Sequence, residues 1–495
     1  MRPLIRNDRL IAALLFLAVF ASRIPFRTRM LYAWDSVLYT RAIKNFNVAA
    51  GSPQPPGHIF YVGLVWLVNR ITGDPNAAMV WISAFFAGAS VAMLYLLGRT
   101  MFSRAVGLAA AALLATSLSF WVYSEVAYPY TLLAFLSTAL AALIYKTWEG
   151  KSAWVLPAAL VLGLAAGFRE ELLPFLFPAV VVGWLRQPPL RIAAAVALMA
   201  LAALSWYIPA ALLSGGLAAY QNASSAQTSY LINYSSVFGA GKAALAANLD
   251  AFFRFLGWAA AAGAPLLAAF LAALPFSRFR QTGSGRRLLF LAAWSLPSIL
   301  FYIFIHIGEY GYVFSFLPAA LLAAAWGGSR FGEIINEKRP RVSAARGFAI
   351  ITAPLVLANL LLFLVFSPPM SASRLAARDN LLKSKVETIK RHFSPAATVI
   401  VSVFDENEVD YYLPGYRHFG LDPMSQQRAV FALGPDVRQV VIFDEYLHPP
   451  GGDPGGSLPL GLDQTLKFLY RTPGQTEAVL DWRKREVALE NGSRA

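Results

Sequence analysis

The chain of 495 residues contains no cysteine, which excludes disulfides, thiolate metal sites, iron–sulfur clusters and cysteine nucleophiles. Charged residues are also scarce, at 14% against about 25% in soluble domains. Apolar residues make up 57% of the chain and the mean hydropathy is +0.52, which is more apolar material than one soluble core can bury. The composition therefore excludes a single soluble domain and a disordered chain, and it predicts a polytopic membrane protein.

Long apolar runs are what the chain has instead of charge. A membrane-spanning helix needs about 20 mostly apolar residues. Eleven windows come near this criterion: 8–27, 78–99, 105–124, 128–146, 152–168, 172–186, 192–214, 255–276, 287–306, 312–328 and 347–366. The first window lacks a clear small-x-small cleavage site, so we interpret it as a retained span and not as a signal peptide.

The basic residues predict the orientation of these spans. With the N-terminus and every second loop assigned to one side, that side carries 18 Lys and Arg residues, against about eight in the opposite loops before the tail. Cytoplasmic loops carry the excess of positive charge, so we expect the N-terminus inside and residues 367–495 outside. The same loop bias explains the net charge of +15 without a nucleic-acid partner.

The acidic residues before position 367 lie mostly on the predicted outer side. There are eleven of them, and seven fall in outer loops or at outer ends of spans: Asp35, Asp74, Glu125, Glu170, Glu171, Asp250 and Glu309. Carboxylates near a bilayer are costly and usually mark a polar cavity. We therefore expect the chemistry of the protein on its outer face.

The tail has the composition of a soluble domain, with 16 of the 27 acidic residues of the chain. Its patterns predict helices over Ser373–His392, Glu406–Tyr412 and Leu462–Tyr470, and buried strands over Ala397–Phe404 and Gln439–Asp444. We therefore expect a polytopic α-helical transmembrane domain over 1–366 and a small extracytoplasmic α/β domain over 367–495. The tail is long enough to bury a core of its own.

The first predicted outer loop, 28–77, has the most informative sequence. Asp35 follows the first span shortly, so its carboxylate is expected just above the hydrocarbon. A short interfacial helix over 36–48 would present Arg41 and Lys44 to phosphate or to lipid headgroups. The segment Pro55-Pro56-Gly57-His58 then begins a second apolar helix.

This arrangement resembles the integral-membrane glycosyltransferases of the C superfold, which use polyprenyl-phosphate sugars. They include protein O-mannosyltransferases, lipid A aminoarabinose transferases and a group with an aspartate followed by a Pro-Pro-Gly segment. The resemblance rests on Trp34-Asp35 and Pro55-Pro56-Gly57-His58, with weaker support from Glu125 and the segment Asp405 to Tyr412. It implies that Asp35 is the catalytic base. Ser36 stands where several relatives place a second acid, so neither donor nor acceptor is copied from them.

The base role suits the chemistry of such a donor. A polyprenyl phosphate is a good leaving group, so the enzyme chiefly needs a base for the acceptor hydroxyl and cations for the departing phosphate. Asp35 would accept the proton while the hydroxyl attacks C1 of the sugar from the opposite face, which inverts the anomeric centre. A structural alternative, compatible with the first, is that Asp35 caps a helix starting at Ser36.

Two further charged residues lie in short predicted outer turns. Arg169 is a cation on the side where few are expected, so it is predicted either to bind phosphate or to pair with Glu170 or Glu171. Glu125 lies among aromatic residues and faces either the sugar cavity or water.

Three more residues complete the set of candidate substrate contacts. His58 is predicted to orient the donor or to be an ordinary interfacial histidine. His306 and Glu309 share one turn and are predicted to bind the acceptor, the phosphate or a metal. Because a dedicated metal site needs three or more ligands and this spacing supplies two, we predict no metal and no cofactor.

Together these features predict an inverting glycosyltransferase in the cytoplasmic membrane, acting on its outer face. Its expected partners are membrane lipid, a lipid-linked sugar donor, and a lipid, protein or polysaccharide acceptor, with no nucleic acid. A secondary transporter would need internal symmetry and ionisable residues near the middle of spans, which the sequence lacks. A non-catalytic scaffold with a partner-binding tail would leave the outer carboxylates unexplained.

Overall fold

The computed structural model describes residues 6–273, 284–338, 344–423, 425–451, 455–461 and 463–492. Its helices are α1 (Arg6–Arg23), α2 (Trp34–Ala42), α3 (Ile59–Thr72), α4 (Pro75–Met101), α5 (Arg104–Thr116), α6 (Leu118–Tyr123), α7 (Tyr130–Trp148), α8 (Val155–Ala165), α9 (Leu172–Trp184), α10 (Pro189–Leu213), α11 (Leu217–Ser235), α12 (Val237–Ala260), α13 (Ala264–Ala273), α14 (Ser284–Phe304), α15 (Leu317–Lys338), α16 (Ala344–Leu364), α17 (Ala372–His392) and α18 (Glu406–Tyr412). Its strands are β1 (Thr398–Val401), β2 (Arg417–Phe419), β3 (Arg428–Ala432), β4 (Gln439–Ile442), β5 (Gly455–Gly461), β6 (Gln464–Tyr470), β7 (Glu477–Asp481) and β8 (Glu486–Glu490).

The helical part has the character of a membrane protein. Among the described residues, six segments are long and apolar enough to cross a bilayer: Asn7–Phe26, Pro75–Met101, Tyr130–Trp148, Pro189–Leu213, Val237–Ala268 and Gly285–Phe304. Shorter apolar helices occupy Ile59–Thr72, Arg104–Thr116, Ser152–Ala165, Leu172–Trp184 and Phe348–Leu364. The predicted membrane-type helical architecture is thus confirmed, while the count of eleven spans and their orientation stay predictions.

The chain forms two compact units. The first comprises the described residues up to Arg27 together with Arg41–Leu375, and the second comprises Thr28–Thr40 together with the described residues from Ala376 onward. The segment that carries Asp35 therefore belongs to the same unit as the C-terminal strands.

Close helix packing in the first unit depends on glycine where α4 meets α5. A Cβ atom on Gly107 would lie 2.6 Å from the carbonyl oxygen of Tyr95, and a Cβ atom on Gly98 would lie 2.8 Å from the Cα atom of Gly107. Small residues of this kind let the backbones of membrane helices approach each other closely.

An ion cluster joins the start of α1 to the junction of α4 and α5. The carboxylate of Asp8, which is fully buried, lies 3.0 Å from Nε of Arg99 and 2.8 Å from a guanidinium nitrogen of Arg104. The hydroxyl of Tyr95 donates to the same carboxylate at 3.0 Å. A buried carboxylate is tolerated here because cations and a hydroxyl group replace its hydration.

The second unit contains a five-stranded sheet in the order β2-β1-β4-β6-β5 and a three-stranded sheet in the order β3-β7-β8. Strand β1 is parallel to β2 and β4, whereas β6 is antiparallel to β4 and β5. The predicted helices over 373–392 and 406–412 correspond closely to α17 and α18, and the two predicted strands contain β1 and β4.

The predicted helix over Leu462–Tyr470 is wrong, because Gln464–Tyr470 forms strand β6 and Leu462 lies outside the described residues. Val440 of β4 pairs with Leu469, and Leu458 of β5 pairs with Leu466. The backbone of β6 is thus paired on both sides, and its buried leucines pack in the cores of the unit. Tertiary pairing decides such short apolar segments, which local pattern leaves ambiguous between strand and helix.

The absence of cysteine allows a direct test of the predicted orientation. Ser225 of α11 lies in a predicted outer loop and Lys151 in a predicted inner loop, and both residues are exposed. We expect a membrane-impermeant maleimide applied to intact cells to label Ser225→Cys and to leave Lys151→Cys unlabelled until the membrane is permeabilised. The reverse pattern would contradict the predicted orientation.

Candidate functional site

Three turns between helices bring several of the predicted residues to one end of the first unit: residues 124–129, 166–171 and 305–316. The first of these turns is anchored to α4, because the hydroxyl of Ser83 donates to the carbonyl oxygens of Val126 and Tyr128 at 2.8 Å each. Thr131 of α7 donates back to the carbonyl oxygen of Ser83 at 2.9 Å. These bonds satisfy polar backbone groups of the turn within the bundle.

Aromatic side chains join the three turns. The hydroxyl of Tyr123 donates to Oε2 of Glu309 at 2.6 Å. The guanidinium carbon of Arg169 lies 4.9 Å from the ring centre of Tyr130 and 6.0 Å from that of Tyr312. Arg169 and Glu309, which the sequence predicts on separate loops, therefore lie in one aromatic cluster.

The side chain of Arg169 is 6% exposed and forms an ion pair with Glu171, whose side chain is 18% exposed. The Oε1 atom of Glu171 accepts from Nε of Arg169 at 2.7 Å and lies 2.5 Å from one of its terminal nitrogens. The predicted salt bridge is present, and Glu171 is its carboxylate partner. An aromatic face stabilises a desolvated guanidinium further.

The segment before α3 packs on the turn that carries Arg169. The backbone N–H of Phe60 donates to the carbonyl oxygen of Gly167 at 3.0 Å, and the ring of Phe60 lies 5.5 Å from that of Phe168. His58 precedes α3 with a positive φ of 45°. Burial and the positive charge of Arg169 lower the pKa of His58. The imidazole of His58 is therefore neutral at pH 7.

Glu125 is fully buried, so the alternative in which it faces water is wrong. Its Oε1 atom accepts from the indole nitrogen of Trp121 at 2.7 Å. The guanidinium carbon of Arg23 lies 4.0 Å from the centre of the Trp121 ring, beside this carboxylate. Sequence reasoning missed Arg23 as a site residue. The signal that could have indicated it is its position, because Arg23 is the charged residue at which the uninterrupted apolar run of the first span ends.

The remaining predicted substrate contacts of the first unit, His306, Arg41 and Lys44, do not form one cluster. The ring of His306 lies 5.9 Å from that of Tyr312, at the edge of the aromatic cluster. Arg41, in the last turn of α2, is half-buried, and Lys44, in the turn after α2, is exposed. Within the described residues, no group of three His, Cys, Asp or Glu side chains is arranged to hold a metal ion.

Asp35 lies in the second unit, in the first turn of α2, and is half-buried. The helix begins at Trp34, so the alternative in which Asp35 caps a helix starting at Ser36 is wrong. A carboxylate in the first turn is favoured by the partial positive charge of the helix N-terminus. Ser36 and Val37, which follow it, are fully buried and fix this turn.

An apolar groove of about 420 Å³ runs between α12, α13, α14 and α15. Phe252, Leu267, Leu291, Ile299 and Phe316 are among its lining residues, and Ser295 is the one polar side chain in the described lining. The groove offers a surface for a hydrocarbon chain and no partner for a charged group.

The second unit contains a cluster of carboxyl groups where the parallel strands β1 and β4 end. Asp444 accepts backbone N–H groups of Val403 and Phe404 at 2.6 and 3.2 Å. Burial raises the pKa of Asp444 to about 7 and that of Glu408 to about 8. Repulsion from Asp405 is the second, smaller cause in both cases. Lys385 contributes one buried cation, whose nitrogen lies 3.8 Å from Asp405.

Comparison with known proteins shows which family and which solved structures the chain is similar to. Residues 54–211 match the family of dolichyl-phosphate-mannose-protein mannosyltransferases. No curated protein matches the chain in sequence.

Solved structures match over nearly the whole chain. ArnT from Cupriavidus metallidurans bound to undecaprenyl phosphate is 12% identical, with a TM-score of 0.57 over 94% of this chain and 98% of that one. Its apo form is 11% identical, with a TM-score of 0.57 over 93% and 97%. The apo oligosaccharyltransferase of Archaeoglobus fulgidus is 13% identical, with a TM-score of 0.51 over 89% of this chain and 69% of that one. These matches confirm the predicted resemblance to C-superfold membrane glycosyltransferases in fold.

The carboxyl cluster predicts how the stability of the second unit depends on pH. Because the pKa of Glu408 is raised to about 8, its folded form holds a proton that the unfolded chain releases near pH 4.3. The contribution of Glu408 to stability is then highest below about pH 4.3, the pKa in the unfolded chain. It falls as the pH rises from about 4.3 to about 8, and it levels off above about 8. We expect a loss on the order of 5 kcal/mol across this pH interval, measured as thermal unfolding of the full chain in detergent.

Glu408→Gln keeps the shape of the protonated side chain without its titration, so we expect a weaker fall in stability between pH 5 and pH 8. The exposed Glu387 serves as a control, because Glu387→Gln removes one titrating group from a solvated site. Equal dependence of stability on pH in the wild type and in Glu408→Gln would contradict the assignment of this fall to Glu408.

Proposed function

We propose that the protein is an inverting glycosyltransferase that moves one sugar from a polyprenyl-phosphate donor to an acceptor outside the cytoplasmic membrane. The observation that carries this proposal is Arg169, a buried cation held by Glu171 and aromatic rings where three turns meet. A buried arginine is costly in an apolar helical bundle and usually serves a function there. The fold of ArnT, which in its solved structure binds undecaprenyl phosphate, supports a lipid phosphate as the group that Arg169 recognises.

The donor phosphate is assigned to Arg169 and to the neutral His58. A planar guanidinium forms paired hydrogen bonds with phosphate oxygens, and in a desolvated site these bonds are stronger than in water. Glu171 compensates the charge of Arg169 when the donor is absent. The isoprenoid chain is assigned to the apolar groove between α12 and α15, since its lining matches hydrocarbon.

The base role is assigned to Asp35. Its carboxylate accepts the proton of the acceptor hydroxyl as the oxygen attacks C1 of the sugar. A C–O bond forms at C1, the bond from C1 to the phosphate oxygen breaks, and the polyprenyl phosphate leaves with the electron pair. No oxidant, reductant or further reactant is consumed, and the configuration at C1 is inverted.

The acceptor is assigned to the end of the unit that carries His306 and Glu309, with Glu125 holding the neighbouring turn. The rings of Tyr123 and Tyr130 are buried and that of Tyr312 is half-buried, and the three form one aromatic cluster at this end. We place this end of the protein on the extracytoplasmic side, in accord with the loop charges. Arg41 and Lys44 are assigned to lipid headgroups or to the donor phosphate at the interface.

Binding of undecaprenyl phosphate to the purified protein tests the role of Arg169. Arg169→Gln alone would remove the cation and leave the Glu171 carboxylate in place, and removing one partner of a buried ion pair costs about 3–5 kcal/mol. The double variant Arg169→Gln/Glu171→Gln is therefore compared with Glu171→Gln. Both variants lack the carboxylate, and one of them lacks the guanidinium. We expect Glu171→Gln to bind at least as tightly as the wild type and the double variant to bind about tenfold more weakly, which is the loss of one charged hydrogen bond.

Thermal unfolding of each variant in detergent shows whether it is folded under the binding conditions. Arg254→Gln is the matched control, because its side chain is 53% exposed and makes a loose pair with Asp250. Equal affinity of the double variant and Glu171→Gln would remove Arg169 from the donor site.

Transfer from a panel of radiolabelled undecaprenyl-phosphate sugars, measured in membranes of the host, tests Asp35. Loss of a general base lowers the rate about 100- to 10,000-fold, so we expect Asp35→Asn to lower transfer in that range. We expect the binding of undecaprenyl phosphate to be retained. Asp250→Asn is the matched control, since its carboxylate is exposed in another predicted outer loop. Undiminished transfer by Asp35→Asn at a normal protein level would defeat the assignment.

A further inference from the structure

The segment that leads into Asp35 is held by side chains of the C-terminal unit at three successive backbone N–H groups. The carboxylate of Asp379 in α17 accepts from the N–H of Arg29 at 2.9 and 3.0 Å and from the N–H of Met30 at 2.8 Å. The hydroxyl of Tyr412 in α18 accepts from the N–H of Leu31 at 2.8 Å. These bonds join residues more than 340 positions apart in the chain.

Packing supports the same contacts. Met30 packs against the buried core formed by α17, α18 and the five-stranded sheet. Leu31 is 2% exposed, and the guanidinium carbon of Arg378 lies 4.1 Å from the ring centre of Tyr32. Residues 29–32 are thus held by hydrogen bonds, apolar burial and a cation–aromatic contact, all from one side chain cluster of the C-terminal unit.

We infer that Asp379 and Tyr412 are positioning residues, through which the C-terminal domain sets the place of the Asp35 carboxylate. Helix α2 begins at Trp34, three residues after the bond to Tyr412, and Asp35 is in its first turn. The chain between Leu31 and Asp35 is too short to absorb a displacement of the anchored residues. The position of the Asp35 carboxylate therefore depends on a domain that is distant in sequence.

This inference rests on the proposed role of Asp35, because the anchoring of residues 29–32 affects kcat if Asp35 is the catalytic base. A shift of a catalytic group by about 1 Å can lower a rate about 100-fold. Loosening the anchor should therefore lower kcat and leave the KM for the donor nearly unchanged, since the residues assigned to the donor phosphate lie in the other unit.

The test compares Tyr412→Phe, Asp379→Asn and Asp379→Ala with the wild type in the full-length protein. Tyr412→Phe removes one acceptor oxygen with little change in volume. Asp379→Asn keeps one acceptor oxygen, and Asp379→Ala keeps none. We expect kcat for transfer from the active undecaprenyl-phosphate sugar to fall about tenfold in Tyr412→Phe and more in Asp379→Ala, with Asp379→Asn intermediate.

Trypsin supplies a readout that does not depend on activity. Cleavage after Arg29 produces a fragment that begins at Met30, which mass spectrometry identifies. We expect this cleavage to rise at least severalfold in Tyr412→Phe and Asp379→Ala. The matched control is Glu387→Gln on the same helix, where an exposed carboxylate pairs loosely with Lys383. We expect wild-type kcat and wild-type cleavage in this control.

The outcomes separate this inference from the proposed function. If Asp35→Asn abolishes transfer while Tyr412→Phe and Asp379→Ala keep wild-type kcat, the positioning role is wrong and the proposed function stands. Faster cleavage after Arg29 with unchanged kcat overturns it as well. If Asp35→Asn transfers normally, the proposed function fails, and increased cleavage in the anchor variants still reports a held loop without a catalytic purpose.

Discussion

The cost of burying charge among apolar helices governs the helical part of this protein. Each deeply buried charge described above has a specific neighbour that replaces water: Asp8 has two arginines and a tyrosine, and Arg169 has Glu171. Arg23 lies on the face of Trp121. These arrangements lie near the ends of helices, where turns and caps supply further polar groups. The middle of the bundle is left to packing, including the close contact of α4 with α5.

The two groups of charges differ in how their charges are matched. The cluster around Asp8 is closed, because its carboxylate is matched by two cations and a hydroxyl, and it joins three helices. Arg169 pairs with Glu171 and lies among aromatic rings. A guanidinium in such surroundings can exchange its carboxylate for a phosphate at small electrostatic cost, since one anion replaces another. That property is what a donor site for a lipid phosphate requires.

The C-terminal unit holds the segment before Asp35 through backbone groups. Asp379 and Tyr412 bind three N–H groups of the segment before Asp35. Its own carboxyl cluster around Glu408 and Asp444 lies where β1 and β4 end, and burial raises the pKa of both groups. Anchoring through main-chain groups places few demands on the sequence of the loop itself. For that reason, the pairing leaves no motif in residues 29–31.

The sequence by itself determined the apolar windows, the amphipathic helix over 373–392 and the types of residue able to bind phosphate or to act as a base. These features depend on composition and on periods of a few residues, which the chain carries locally. It failed at Gln464–Tyr470, where pairing with β4 and β5 decided for a strand. It also missed Arg23 as a partner of the Glu125 turn.

Only the tertiary structure decided that Phe60 meets Gly167, that Tyr123 meets Glu309 and that Thr28–Thr40 belongs with the C-terminal strands. Each of these contacts joins residues about a hundred or more positions apart in the chain. Such contacts form because buried polar groups need partners, and the partner is chosen by whichever helix end or strand the fold brings within reach. No local pattern in the sequence records that choice.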